Sequence, residues 1–220
     1  MLKRMLMLLS VLAVGACANV PKNPLTRDQI ADLAIDRIEL EMPDASQIRW
    51  EGGRTAYAKS IGCEPAEKEK FELERYIRRA PGECDYDEVI ERPEAWAYVT
   101  DTVRMEFQNA LNETIVPAFN GDRSVVARVT LRRLAVIGGG TALLFGGNDF
   151  VVADLEILDP ESEVPVAEYP EIVVSGPPAG GIGGAIVSEL TRDVKLHRLA
   201  SYLAYRIRGW LKEPGDDQPA

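Results

Sequence analysis

The sequence predicts an α+β domain: a mainly antiparallel sheet of about four strands, with two long amphipathic helices packed on one face. The first sign is an apolar stripe of Trp96, Val99, Val103, Phe107, Ala110, Leu111 and Ile115, recurring at three- and four-residue steps. The second is alternation over 125–136, where Val125, Ala127, Val129 and Leu131 share one face and Arg128, Thr130 and Arg132 the other. The third is the order of elements (strand, helix, three strands, helix), which suits one sheet layer covered by helices.

Each element has its own local reason. Residues 18–27 hold two prolines and no periodic pattern, and read as part of a flexible tether reaching to about residue 30. Ile38, Leu40 and Met42 alternate with Glu39 and Glu41, the period of a half-buried strand over 34–42 that Pro43-Asp44 ends. Gln47 to Trp50 reads as a short strand before Gly52-Gly53. From about 56 to 90 the chain is charged and irregular, an excursion and not a second domain.

A helix starts at Pro93, a residue favoured in the first turn, and Pro117 closes it. Phe150 to Leu158 and Val164 to Val174 are the next strands, joined by the turn Asp159-Pro160-Glu161-Ser162. Pro170 marks a bulge or an edge in the second of them. The last helix spans 185–212, with Ile186, Leu190, Val194, Leu196, Leu199, Leu203, Ile207 and Trp210 on its buried side. Residues 31–212 therefore form a single domain, and 213–220 a disordered, solvated tail.

The chain has 220 residues and a formal charge of −10. An acidic surface of that size argues against nucleic acid or anionic lipid as the partner, since both bind through clustered Lys and Arg.

The N-terminus carries Lys3 and Arg4, an apolar run from Met5 to Val14 interrupted by Ser10, and then Leu12-Ala13-Val14-Gly15-Ala16-Cys17. An apolar run of about ten residues fits a signal-peptide core and falls short of the roughly 20 that span a bilayer. This arrangement resembles the lipobox of bacterial lipoprotein precursors. The resemblance implies a signal peptide over 1–16, acylation of Cys17, and palmitate-type chains as the membrane attachment. It also implies the outer membrane, facing the periplasm, because Ala18 stands where the retention signal of such proteins usually carries Asp. Cleavage would remove Lys3 and Arg4, taking the charge from −10 to −12.

Cys63 and Cys84 are the two other cysteines. In an oxidising compartment two such thiols usually pair, which would pin the 56–90 excursion; two free buried thiols are the alternative.

A meander of the last three strands would send two glycine-rich loops from one end of the sheet. The first is 138–147, containing Leu143, Leu144 and Phe145; the second is 175–184, containing Ile182. These four side chains are a candidate contact for a subunit, an envelope protein or the membrane. The alternative is that 143–145 folds back and caps the core. Neither loop contains Lys or Arg, and no Gly-Lys-Ser/Thr occurs, so a phosphate cradle is disfavoured.

Catalytic chemistry is hard to place. His197 is the only histidine, mid-helix, and reads as a surface or core-edge residue. The acid-rich stretches 67–74 and 85–91 read as solvated faces, and Cys84-Asp85-Tyr86-Asp87-Glu88 lacks the glycine of a calcium loop. The basic residues of the last helix (Arg192, Lys195, Arg198, Arg206, Arg208 and Lys212) read as a solvated face. No metal or cofactor is expected.

The layout from Val125 to Trp210 resembles a group of uncharacterised proteobacterial envelope lipoproteins. Its features are an alternating strand, a Gly-rich hairpin, the strand Asp-Phe-Val-Val-Ala-Asp-Leu-Glu-Ile-Leu-Asp, a second Gly-rich stretch and an amphipathic helix. The group is similar to the periplasmic α/β part of curli-secretion lipoproteins. The resemblance implies a non-catalytic binding or scaffold lipoprotein with an envelope protein partner. The alternatives are an auxiliary oligomeric subunit of an envelope transport or secretion complex, and a carboxylate-based envelope hydrolase.

Overall fold

One mixed sheet of five strands organises the chain; most of its register is antiparallel, as expected, and two parallel pairings make it not purely so. The computed structural model describes residues 20–63, 84–137, 148–176 and 192–215. The signal peptide over 1–16, Cys17, Leu143, Leu144, Phe145, Ile182, most of the excursion and the end of the tail lie outside the described residues.

The strands are β1 (Leu33–Glu41), β2 (Ile48–Trp50), β3 (Arg123–Val136), β4 (Phe150–Leu158) and β5 (Pro165–Ser175). The helices among the described residues are α1 (Arg27–Asp32), α2 (Glu51–Ser60), α3 (Tyr86–Val89), α4 (Pro93–Thr114) and α5 (Arg192–Lys212). Strands β3, β4 and β5 form the expected antiparallel meander. On the other side of β3, β1 runs parallel from Leu33↔Arg123 to Glu41↔Thr130. Strand β2 then continues along the same edge, from Ile48↔Leu134 to Trp50↔Val136. Parallel neighbours need a long crossover, and the chain between Trp50 and Arg123 supplies one through α4. Alternating sequence looks the same in either strand direction, so the pattern in β1 carried no sign of its orientation.

The core lies between the sheet and the helices. Val125, Ala127, Val129 and Leu131 of β3 are buried, while Arg132 is exposed, as the alternation requires. A bulge between Leu131 and Arg133 shifts the phase, so Leu134 and Val136 join the same core. On α4, Val99, Val103, Phe107, Ala110 and Leu111 are buried along the stripe that the sequence shows. Helix α4 packs against α5 and β1, and α5 against β4 and β5. Full burial of an apolar side chain of this size stabilises by about 1.5–3 kcal/mol.

Two local expectations change and a third holds. Helix α2 runs straight through Gly52-Gly53 into the region assigned to the excursion. Gly53 is there for space: a Cβ would lie 2.5 Å from the Trp50 ring and 2.8 Å from Val99. Val194, assigned to the buried side of the last helix, is 50 % exposed. In β5 the irregularity opposite Ala153–Leu155 falls at Pro170 and Glu171, the latter with φ 53°, which is the edge bulge that Pro170 signalled.

The tether and tail expectations also change where the chain is described. Asn23 is 1 % exposed; its Nδ2 donates to the carbonyls of Trp210 (3.1 Å) and Leu211 (3.3 Å). Trp210 Nε1 donates to the Pro21 carbonyl at 2.7 Å, and Leu25 is buried. Thr26 then caps α1 in a reciprocal capping box with Gln29. Gly215 N donates to the Leu25 carbonyl at 3.4 Å, holding the start of the tail against the same segment. Residues 21–25 are therefore a strap across the C-terminal end of α5. The reason is capping: the last carbonyls of a helix lack intrahelical donors, and Asn23 supplies them.

Candidate functional site

The two glycine-rich segments leave from one end of the sheet, and their roots converge on Asp149 and Lys195. Ile137, the residue after β3, donates its N–H to Asp149 Oδ1 at 2.8 Å. Gly176, the residue after β5, donates its N–H to the Asp149 carbonyl at 2.7 Å. Lys195, in the first turn of α5, donates from Nζ to the Ile137 carbonyl at 2.8 Å and lies 3.6 Å from Asp149 Oδ2. One residue pair thus ties the exit of β3, the entry to β4, the exit of β5 and the start of α5.

The burial of this pair makes it consequential. The Lys195 side chain is 8 % exposed and that of Asp149 is 14 %. A buried ammonium is tolerated only when a counter-charge and acceptors replace its water, and here a carboxylate and a carbonyl do so. The arrangement braces Ile137, Asp149, Gly176 and Lys195 against one another. Its chemistry is structural, with both charges engaged by each other.

A second charged arrangement covers the face of the sheet away from the helices. Arg128 of β3 donates to Glu39 Oε2 at 3.1 and 3.3 Å, and lies 3.7 Å from Glu41 and 3.9 Å from Glu156. Glu39 also accepts from Arg37 at 2.9 and 3.1 Å. Hydrogen bonds from Arg37, then from Arg128, hold the Glu39 carboxyl below the usual carboxylate range. The bond to Glu39 raises Arg128 in turn. This ladder fits the charged faces of β1, β3 and β4 together across strands.

The remaining candidates are placed as follows. Cys63 and Cys84 form a disulfide, with Cα atoms 5.8 Å apart. Cys63 is buried in a small cluster with Ala58 and Val89, beside Tyr57, Tyr86 and Ile90. The bond therefore joins the end of α2 to the start of α3. His197 sits on the surface, its Nδ1 3.2 Å from Glu106 of α4. Asp85 caps α3 by accepting from Glu88 N at 3.2 Å, so the calcium-like stretch is a helix start. Among the described residues no group of three or more His, Cys, Asp or Glu is arranged to hold a metal ion. No helix among them is long and apolar enough to cross a membrane.

Lys195 corrects the reading of α5 as a uniformly solvated basic face. Its position gave a usable signal, because Lys195, Leu199 and Leu203 follow one another at four-residue steps on the buried side. Asp149 and Asn23 gave none, because each acts through partners far away in the chain.

The chain matches no protein-family model, no curated protein and no solved structure.

Proposed function

We propose that this chain is a lipid-anchored periplasmic lipoprotein of the bacterial outer membrane, attached through acyl chains on Cys17, that binds or scaffolds an envelope partner. The leader ending in Leu12-Ala13-Val14-Gly15-Ala16-Cys17 supports the anchor. One structural observation supports a directed binding role: the chain's two ends of interest lie at opposite ends of α5. The strap that leads back to Cys17 is fastened at Trp210, and the roots of the glycine-rich segments are fastened at Lys195. Fifteen residues of helix separate them, about 22 Å at the α-helical rise. A protein anchored at Cys17 would then hold the roots of the segments containing Leu143, Leu144, Phe145 and Ile182 at the end remote from its anchor. Apolar side chains there suit a protein partner held away from the bilayer.

The test labels cells with radioactive palmitate and compares the wild type with Cys17→Ser. Label on the wild type, none on the variant, and release of the variant from the membrane fraction are expected. An unlabelled wild type would sink the anchor. A crosslinker placed at Leu143 or Phe145 is expected to capture an envelope protein, and capture of lipid alone would sink the protein-partner reading. Capture only of a second copy of this chain would favour the oligomeric-subunit alternative.

A further inference from the structure

Although the chain carries −10 overall, α5 contains no Asp or Glu from Val194 to Lys212. The outward arc of that helix carries Arg198, Tyr202, Tyr205, Arg208 and Lys212, with Tyr202 42 % and Tyr205 58 % exposed. Steps of three and four residues set these side chains in one row. At its C-terminal end a shallow hollow of about 370 Å³ opens between α5 and α1, lined by Arg27, Ile30, Gly209, Lys212, Glu213 and Pro214. Its lining sets Arg27, Lys212 and Glu213 beside the apolar Ile30 and Pro214. Gly209 borders open space, for a Cβ there would meet nothing within 4 Å.

The course of the N-terminal chain says what this surface would meet. Pro21 is bonded to Trp210, and Cys17 lies four residues upstream. Four extended residues reach about 14 Å at most, which bounds the distance of the acylated residue from Pro21. On the lipid-anchor reading, on which this inference rests, acyl chains enter the bilayer beside this arc.

We propose that the C-terminal half of α5 and the hollow beside it lie on the headgroup layer of the leaflet that holds Cys17. Arg208 and Lys212 take the phosphate of an anionic phospholipid, and Tyr202 and Tyr205 rest at the interface. Tyrosine suits that depth because its ring is apolar and its hydroxyl wet, and long basic side chains lie along apolar surface with their charges outward. The net negative charge is no obstacle to this contact. The acyl chains hold the protein at the membrane in any orientation, and the basic arc selects one of them.

Hydroxyl-radical footprinting of the acylated full-length protein tests it, on vesicles of phosphatidylethanolamine and phosphatidylglycerol. Oxidation of Tyr202 and Tyr205 is expected to fall about five-fold from its rate in the soluble Cys17→Ser chain, as interfacial tyrosines would. The double variant Arg208→Glu/Lys212→Glu is expected to float with the vesicles still, while oxidation of both tyrosines returns to the solution rate. Flotation of the wild type with unchanged tyrosine oxidation overturns this surface and leaves the anchor standing. Loss of both palmitate label and flotation overturns the anchor and this surface together. Protection by extracted membrane proteins, with none on vesicles, overturns it in favour of a protein partner.

Discussion

The Trp210 indole donates to the Pro21 carbonyl at 2.7 Å, joining residues 189 positions apart. That bond and the paired Asn23 bonds close the N-terminal segment onto the end of α5. Trp210→Phe removes one donor and is expected to cost about 1 kcal/mol. Asn23→Ala leaves the Trp210 and Leu211 carbonyls without it and is expected to cost about 1–3 kcal/mol. Urea denaturation measures both. Limited proteolysis should also show faster cutting between Val20 and Arg27 in each variant, and an unchanged rate would mean that the strap does not hold this segment.

Lys195→Met leaves the Asp149 carboxylate in a poorly hydrated site, where among the described residues only the Ile137 N–H bonds its side chain. Removing one member of a buried ion pair is expected to cost about 3–5 kcal/mol. Adding Asp149→Asn removes the uncompensated charge and should recover part of that loss. Chemical denaturation of the single and double variants reads the recovery. A double variant no more stable than Lys195→Met would show that the two charges act independently.

The Cys63–Cys84 disulfide closes a span of 21 residues in sequence. On the chain-entropy model such a loop stabilises by about 3 kcal/mol. Because Cys63 sits in the small cluster with Ala58 and Val89, apart from the main core, the loss on reduction should be local first. Hydrogen exchange is expected to quicken in α2 and α3 under reducing conditions while β3 and β4 keep their protection. Equal loss across the sheet would contradict that separation.

Glu39 supplies a pH signature. Its folded-state pKa lies below the ordinary 4.5, chiefly through the bonds from Arg37 and Arg128. A depressed carboxylate adds stability above its unfolded pKa and loses it as the pH falls through the folded value. Stability is therefore expected to fall on acidification below about pH 4.5, more steeply in the wild type than in Glu39→Gln. The difference should shrink in high salt, because Glu39 remains about a third exposed. A urea midpoint followed against pH, with identical slopes in the two proteins, would remove Glu39 from the account.

Local patterning made much of the fold legible. The stripe from Val99 to Ile115 and the Pro93 start identified α4, and alternation identified β3 with its inward and outward faces. The β4 boundaries, Phe150 and Leu158, were readable because turn residues bracket an apolar run. Two thiols read for an oxidising compartment left pairing or two free thiols open, and Cys63 and Cys84 are paired. Helix α2 was hidden because Gly52-Gly53 looks like a break until Trp50 is packed over Gly53. The segment from Pro21 to Leu25 looked like a tether because nothing in its neighbours reveals that Asn23 meets Trp210 and Leu211.

What the amino-acid order determined by itself was everything governed by short spacing: helical stripes, strand faces, turn positions and the proline at the head of α4. Tertiary structure alone decided that β1 and β2 run parallel to β3, because side-chain alternation is blind to chain direction and only the α4 crossover sets it. It alone decided too that Lys195 is buried against Asp149 and Ile137, and that Asn23 closes the end of α5. Those contacts span tens to nearly two hundred positions, and a charge or amide so far from its partner looks, in sequence, like any solvated one.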